Sequence, residues 1–430
     1  MGTAFQRLGL FLILPFLLRR LTVAEYGTFG LAQSAMSLLP AVLTLNLPVT
    51  VTRLYFDGTN EAERAGTAAK LTLLCLATGL VASALAVVLA VLARESIAIA
   101  LGVPARPALL ITNLVIVGAL GSAMLQMGYG IWRAQHRAFP SAGANVLSSA
   151  LFLTVAVSLA VTHRLNLLTA IAAYTLATTT VGFAASLLAS PWRYLRSAPA
   201  TKNLLYDALQ YGLPVVPYLL STWFLAAGGR WIGRATLGLT DVAEFTLASQ
   251  LAAIINLLGR SAYEAWAPRG FAAFAAGHVA DGLAYFRSRA SRTLLVTGAA
   301  AMATELAIAT LIPDFAPSYR PVIILFPMFA VGSLLDVACL LAHNVLMGLK
   351  RTRAIGVYTT AGVLSFAILG SVFSWVSGLW GLAAAYVCAY AIQWSLAMRA
   401  LRALRDTGTF PAVAYPLLES VEQLPDQPRL

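Results

Sequence analysis

Charge is scarce in this sequence: only 11% of its 430 residues are Asp, Glu, Lys or Arg. A water-soluble domain carries about 25% charged residues to solvate its surface, so a soluble globular fold is excluded. Cysteine is scarcer still. Cys75, Cys339 and Cys388 all sit inside apolar runs, which rules out a disulfide framework and leaves them as small buried hydrophobes. The four histidines are scattered and form no metal-ligand pattern. No nucleophile–base pair, zinc spacing or phosphate-binding glycine loop is present. We therefore expect no enzyme, no metal and no cofactor, and an ATP-driven pump only if another chain supplies the ATPase.

What is there is hydrocarbon. Hydrophobic residues make up 59% of the chain, and the mean hydropathy is +0.79. A span needs about 20 mostly apolar residues to cross about 30 Å. Twelve runs meet this: 2–18, 28–50, 71–93, 108–131, 142–161, 167–189, 207–228, 243–262, 293–312, 322–347, 354–376 and 378–398. The first continues into Arg19 and Arg20 without a small-residue cleavage site and reads as a span, not a cleaved leader. The fold class expected is an all-α polytopic membrane protein. With the N-terminus placed inside, 21 of the 29 Lys and Arg fall on the inner side and 8 outside. That bias predicts both termini in the cytoplasm. The net charge of +12 then meets anionic lipid headgroups, not nucleic acid. The outer connections are all short, and residues 403–430 read as a cytoplasmic tail.

The chain also repeats itself. Val23-Ala24-Glu25-Tyr26 recurs as Val242-Ala243-Glu244-Phe245, and each leads into an apolar stretch carrying a glutamine, Gln33 or Gln250. Gly130-Ile131-Trp132-Arg133 recurs as Gly348-Leu349-Lys350-Arg351. The offsets, 219 and 218 residues, agree. Two lobes follow, 1–190 and 191–402, the second including its preceding linker. Six spans per lobe make the repeats parallel, and transporters so built hold substrate between the halves and rock one against the other.

Several segments resemble the polysaccharide-transporter branch of the multidrug, oligosaccharidyl-lipid and polysaccharide exporter superfamily. They are Leu14-Pro15 through Leu18-Arg19-Arg20-Leu21-Thr22-Val23-Ala24-Glu25-Tyr26-Gly27, Thr52-Arg53-Leu54-Tyr55-Phe56-Asp57, and Tyr211-Gly212-Leu213-Pro214 to Trp223 and Arg230. Asn46 departs from the pattern, where glycine is expected. The resemblance implies a flippase that moves undecaprenyl-pyrophosphate-linked oligosaccharide from the inner to the outer leaflet of the bacterial cytoplasmic membrane. Polysaccharide assembly enzymes are then candidate partners.

Arg20, Arg53 and Arg230 are the candidate substrate contacts, because arginine stays charged and offers phosphate a fork of donors. Each also has a plainer reading as an interfacial anchor. Arg234 breaks the charge bias as Arg230 does, whereas Arg260 reads as an anchor. Glu305 and Asp336 lie well inside apolar runs, where a charge is costly. They are candidates for ion coupling, with His343 two helical turns beyond Asp336. The plainer alternative is a protonated carboxyl hydrogen-bonded within the second lobe or to Arg260. A cation-coupled multidrug exporter is the nearest rival function. It should need acids inside the first six spans, and none is there. A membrane glycan polymerase or glycosyltransferase should expose a large outer loop, and none is present. A scaffold without transport is the third alternative.

Overall fold

The computed structural model describes residues 12–58, 60–197, 201–213, 216–349 and 351–406. Most of the first expected span, Arg7 and all of the expected tail but 403–406, which continue the last helix, lie outside these residues. The described chain is helical, with no strand among the described residues. In order it contains α1 (12–20), α2 (Val23–Leu43), α3 (Leu47–Leu54), α4 (Glu61–Leu92), α5 (Arg94–Leu101), α6 (Ala105–Ala134), α7 (Ala138–Val161) and α8 (Leu167–Ala189). Then follow α9 (Thr201–Gly212), α10 (Val216–Trp223), α11 (Gly229–Thr236), α12 (Leu239–Ala275), α13 (Val279–Phe315), α14 (Pro321–Gly348) and α15 (Thr352–Asp406).

Eight of these helices are long and apolar enough to cross a membrane, and α2 with α3 makes a ninth, bent by 52°. α15 breaks at Ser377 and Gly378, where Gly378 takes φ +61°. Its two arms are the eleventh and twelfth expected spans. The seventh is not one helix. It is divided among α9, α10 and one turn of π-helix, Phe224–Gly228, which joins α10 to α11.

Local chemistry sets the ends. Thr22 caps α2, its Oγ1 accepting from Glu25 N at 3.2 Å while Thr22 N donates to Glu25 Oε2 at 2.8 Å. This reciprocal box satisfies two donors that the first turn would leave orphaned. The repeat does not reproduce it. α12 starts earlier, at Gly238 with no side-chain cap, so Glu244 lies inside the helix. Between α2 and α3, Leu45 and Asn46 both adopt left-handed backbone, φ +50° and +60°. Asparagine tolerates that region, and Asn46 Nδ2 donates to Gly212 O at 3.3 Å.

Small residues let the helices approach. A Cβ on Gly182 of α8 would sit 2.0 Å from Gly121 O of α6, so only glycine permits this contact. In the second half an aromatic chain fills the core. Phe245 meets Phe329 edge-on at 4.8 Å, Phe329 meets Tyr386 at 5.2 Å, and Tyr386 meets Tyr390 at 5.0 Å. α9 packs on the first half: Leu204 and Ala208 are buried with Leu47, Val51, Met127 and Ile131.

The two halves meet closely at the end of the bundle that carries Thr22. A Cβ on Gly27 would lie 2.3 Å from Leu239 O, and one on Gly30 would lie 2.4 Å from Thr246 Oγ1. Trp223 Nε1 donates to Ser34 O at 3.0 Å, and Trp231 Nε1 to Ser34 Oγ at 2.9 Å. Toward the opposite end, which carries Arg53, α2 gives way to α3 and the halves enclose a cavity.

Candidate functional site

The cavity holds about 390 Å³. Its ceiling, on the Thr22 side, is a hydrogen-bonded trio. Tyr26 donates to Gln250 Oε1 at 2.7 Å, and Gln250 Nε2 donates to Gln33 Oε1 at 2.8 Å. Gln33 and Gln250 are the two glutamines that follow the repeated segment, so equivalent parts of the halves meet where α2 crosses α12.

One wall is a polar stripe on α12. Gln250, Ala253, Asn256 and Arg260 all line the cavity, and their spacing of three, three and four residues keeps them on one helix face. Opposite stand Asp336 of α14 and Tyr386, Tyr390 and Gln393 of α15. Arg260 Nη2 lies 3.9 Å from Asp336 Oδ2. That is beyond hydrogen-bond range, so the two charges attract without being locked together. The first half contributes Leu14, Gln33, Ser37 and Tyr174, none of them charged.

Arg230 is the buried cation of the site, 7% exposed. It follows the π turn, and such a turn shifts the phase of the residues beyond it. Its Nη1 donates to Gly30 O at 3.2 Å, while its buried Nε has no hydrogen-bond partner among the described residues. Gly229 beside it admits the Phe245 ring, which a Cβ would meet at 2.3 Å. Arg234, one turn on, does something else. Its Nε donates to Ala100 O at 2.8 Å and its Nη2 to Ile99 O at 2.5 Å. It thus caps α5 from across the interface, as a cation should at a helix C-terminus.

Of the residues singled out in the sequence, Arg230 and Asp336 line this cavity. Arg20 is exposed at the Thr22 end, outside the wall. Arg53 is exposed near the other end, paired with Asp57 one turn along. Glu305 lies on α13 away from the wall, with Oε2 buried and unbonded among the described residues. His343 shares a helix face with Asp336 but faces Tyr358, ring centres 6.4 Å apart. Arg260, expected as an anchor or as the partner of a carboxyl, stands beside Asp336 in the wall, and Gln33, Gln250 and Gln393, which were not candidates, complete the site. The signal for Arg260 was the polar stripe running through Gln250 and Asn256. Among the described residues no group of three His, Cys, Asp or Glu could hold a metal ion.

Residues 1–272 match the family described as polysaccharide biosynthesis protein. No match was found among curated protein sequences. Solved structures share the fold across nearly the whole chain. The lipid II flippase MurJ in an inward closed conformation is 13% identical with a TM-score of 0.66, over 95% of this chain and 87% of that one. An inward-facing multidrug resistance MATE family transporter of the MOP superfamily is 15% identical with a TM-score of 0.62, over 95% and 93%. The MATE multidrug transporter DinF-BH is 14% identical with a TM-score of 0.60, over 94% and 93%. At these identities the likeness is one of fold, two lobes of membrane-spanning helices. The family rests on the sequence match, which covers more than half of the chain: this protein belongs to the polysaccharide biosynthesis protein family.

Proposed function

We propose that this protein flips a polyprenyl-pyrophosphate-linked oligosaccharide from the inner to the outer leaflet of the bacterial cytoplasmic membrane by alternating access. The observation that carries the proposal is Arg230, a buried guanidinium with an unbonded Nε in a polar cavity between the halves. Phosphates and sugars cannot enter hydrocarbon without losing their hydration. A cavity of amide, hydroxyl and guanidinium groups replaces that water while the polyprenyl tail remains in lipid. Arg230 and Arg260 supply positive charge for the pyrophosphate, and the glutamines and tyrosines supply hydrogen bonds for sugar hydroxyls.

The lysine and arginine bias supports putting the Thr22 end outside. The bonds that close that end then describe an inward-open state. Opening it requires breaking the contacts of Tyr26, Arg230, Trp231 and Arg234 across the interface. Because α9 packs on the first half, it moves with that lobe. An inside-negative potential helps export of an anion, by about 2.3 kcal/mol per charge per 100 mV.

Deleting the gene should stop surface glycan display while lipid-linked units accumulate on the inner leaflet. Unchanged glycan, with new sensitivity to dyes or antibiotics, would overturn the proposal. It would favour a cation-coupled multidrug exporter, the reading to which Asp336 in the cavity wall lends support.

A further inference from the structure

A second hollow, about 560 Å³, lies on the second half away from the central cavity, between α13, α14 and the C-terminal arm of α15. Its floor is apolar, and its wall contains two charged residues, Arg287 and Arg402, and no acid. α14 and α15 end close to Leu349 and Arg402, α13 passes Arg287 after starting at Val279, and the wall runs from there to Leu294, Ala338 and Trp394. From Ala338 to Leu349 is eleven residues, about 16 Å of helix. That length matches one leaflet of hydrocarbon, about 15 Å. The groove therefore fits within one leaflet and is apolar, with two cations toward the Arg53-side end of its wall.

Both arginines are exposed, and the wall they share holds no acid. Snorkelling explains one arginine at such a depth. It does not explain two on the wall of one apolar hollow with no acid among the lining residues. We propose that this groove is a binding site for an anionic glycerophospholipid of the same leaflet, one acyl chain along α14 and the phosphate between Arg287 and Arg402. The charge complementarity selects the headgroup, and the depth selects a leaflet lipid over a longer chain. The site is separate from the central cavity and shares no lining residue with it.

The test is native mass spectrometry of the purified full chain titrated with phosphatidylglycerol and, separately, phosphatidylethanolamine. The wild type should hold phosphatidylglycerol at least tenfold more tightly. The Arg287→Gln/Arg402→Gln double variant should lose about thirtyfold of that affinity, as expected for two cations near a lipid headgroup. Arg399→Gln, on the same arm of α15 but outside the groove wall, should change nothing. Ala290→Phe, which fills the groove, should weaken both lipids. Should that variant not fold, the arginine pair decides alone. Equal binding of the two lipids by the wild type would overturn the proposal. So would a loss in Arg399→Gln as large as in the double variant, which would mean diffuse surface charge. Displacement of bound phosphatidylglycerol by equimolar polyprenyl phosphate would also overturn it, by assigning the groove to a polyprenyl tail.

Discussion

The two halves of this molecule share a helix order and differ in chemistry. In the first half the cavity wall is Gln33, Ser37, Tyr174 and Leu14, with no charge. In the second it holds Arg230, Arg260 and Asp336, with amides and tyrosines around them. What the first half brings instead is closeness. Gly27 and Gly30 let α2 lie against α12, and the carbonyls of Gly30, Ser34, Ile99 and Ala100 accept bonds from the second half. On the proposed function this is a division of labour within a repeated architecture: the first lobe offers carbonyls for closure, and the second carries the charges proposed to bind.

The largest effect should come from fixing the closure. A Cβ on Gly30 would lie 3.1 Å from Thr246 Cβ, a few tenths of an ångström inside the range of about 3.5–4.5 Å in disulfides, so a small separation of α2 from α12 admits the bridge. Oxidised Gly30→Cys/Thr246→Cys should not transport at all, and a reductant should restore it. Transport by the cross-linked protein would mean that the halves do not part there.

Next comes the binding lobe. Arg230→Gln should lower flipping by about 10- to 100-fold, the worth of a buried charge-assisted hydrogen bond. Arg230→Lys should fall between, because an ammonium lacks the fork. Rates measured in proteoliposomes at equal protein check both. Asp336→Asn should slow transport by about fivefold through the lost partner of Arg260, and should change its dependence on an imposed pH gradient. Glu305→Gln, outside the cavity wall, should leave both unchanged.

The smallest effects belong to the exposed arginines. Arg20→Ala and Arg53→Ala should stay within about twofold of wild type, since exposed charges contribute little. A loss at either comparable to Arg230→Gln would erase the contrast between the lobes and extend the site beyond the cavity.

Hydropathy made most of the architecture legible, because span length and apolar composition are properties of short windows. The breaks were not. Asn46 is a local signal for left-handed backbone, but nothing local extends it to Leu45, and the π turn at Phe224–Gly228 lies where Phe224, Phe245 and the neighbouring glycines pack. The site was legible in part. Arg230 stood out by breaking the charge bias, and Asp336 by sitting in an apolar run. Arg260 conformed to the charge bias, so its sign concealed its place on the polar stripe. Glu305 is as unusual in sequence as Asp336, yet which face of α13 turns to the cavity is fixed by packing with α12 and α14.

The most direct test of the central claim is flipping of a fluorescent polyprenyl-pyrophosphate-linked oligosaccharide in proteoliposomes under an imposed potential, with wild type and Arg230→Gln in parallel. The account predicts potential-dependent flipping by the wild type and at least a tenfold loss in the variant. It also predicts no movement of a cationic dye by either. Equal rates for the two proteins, or dye movement without glycan movement, would contradict it.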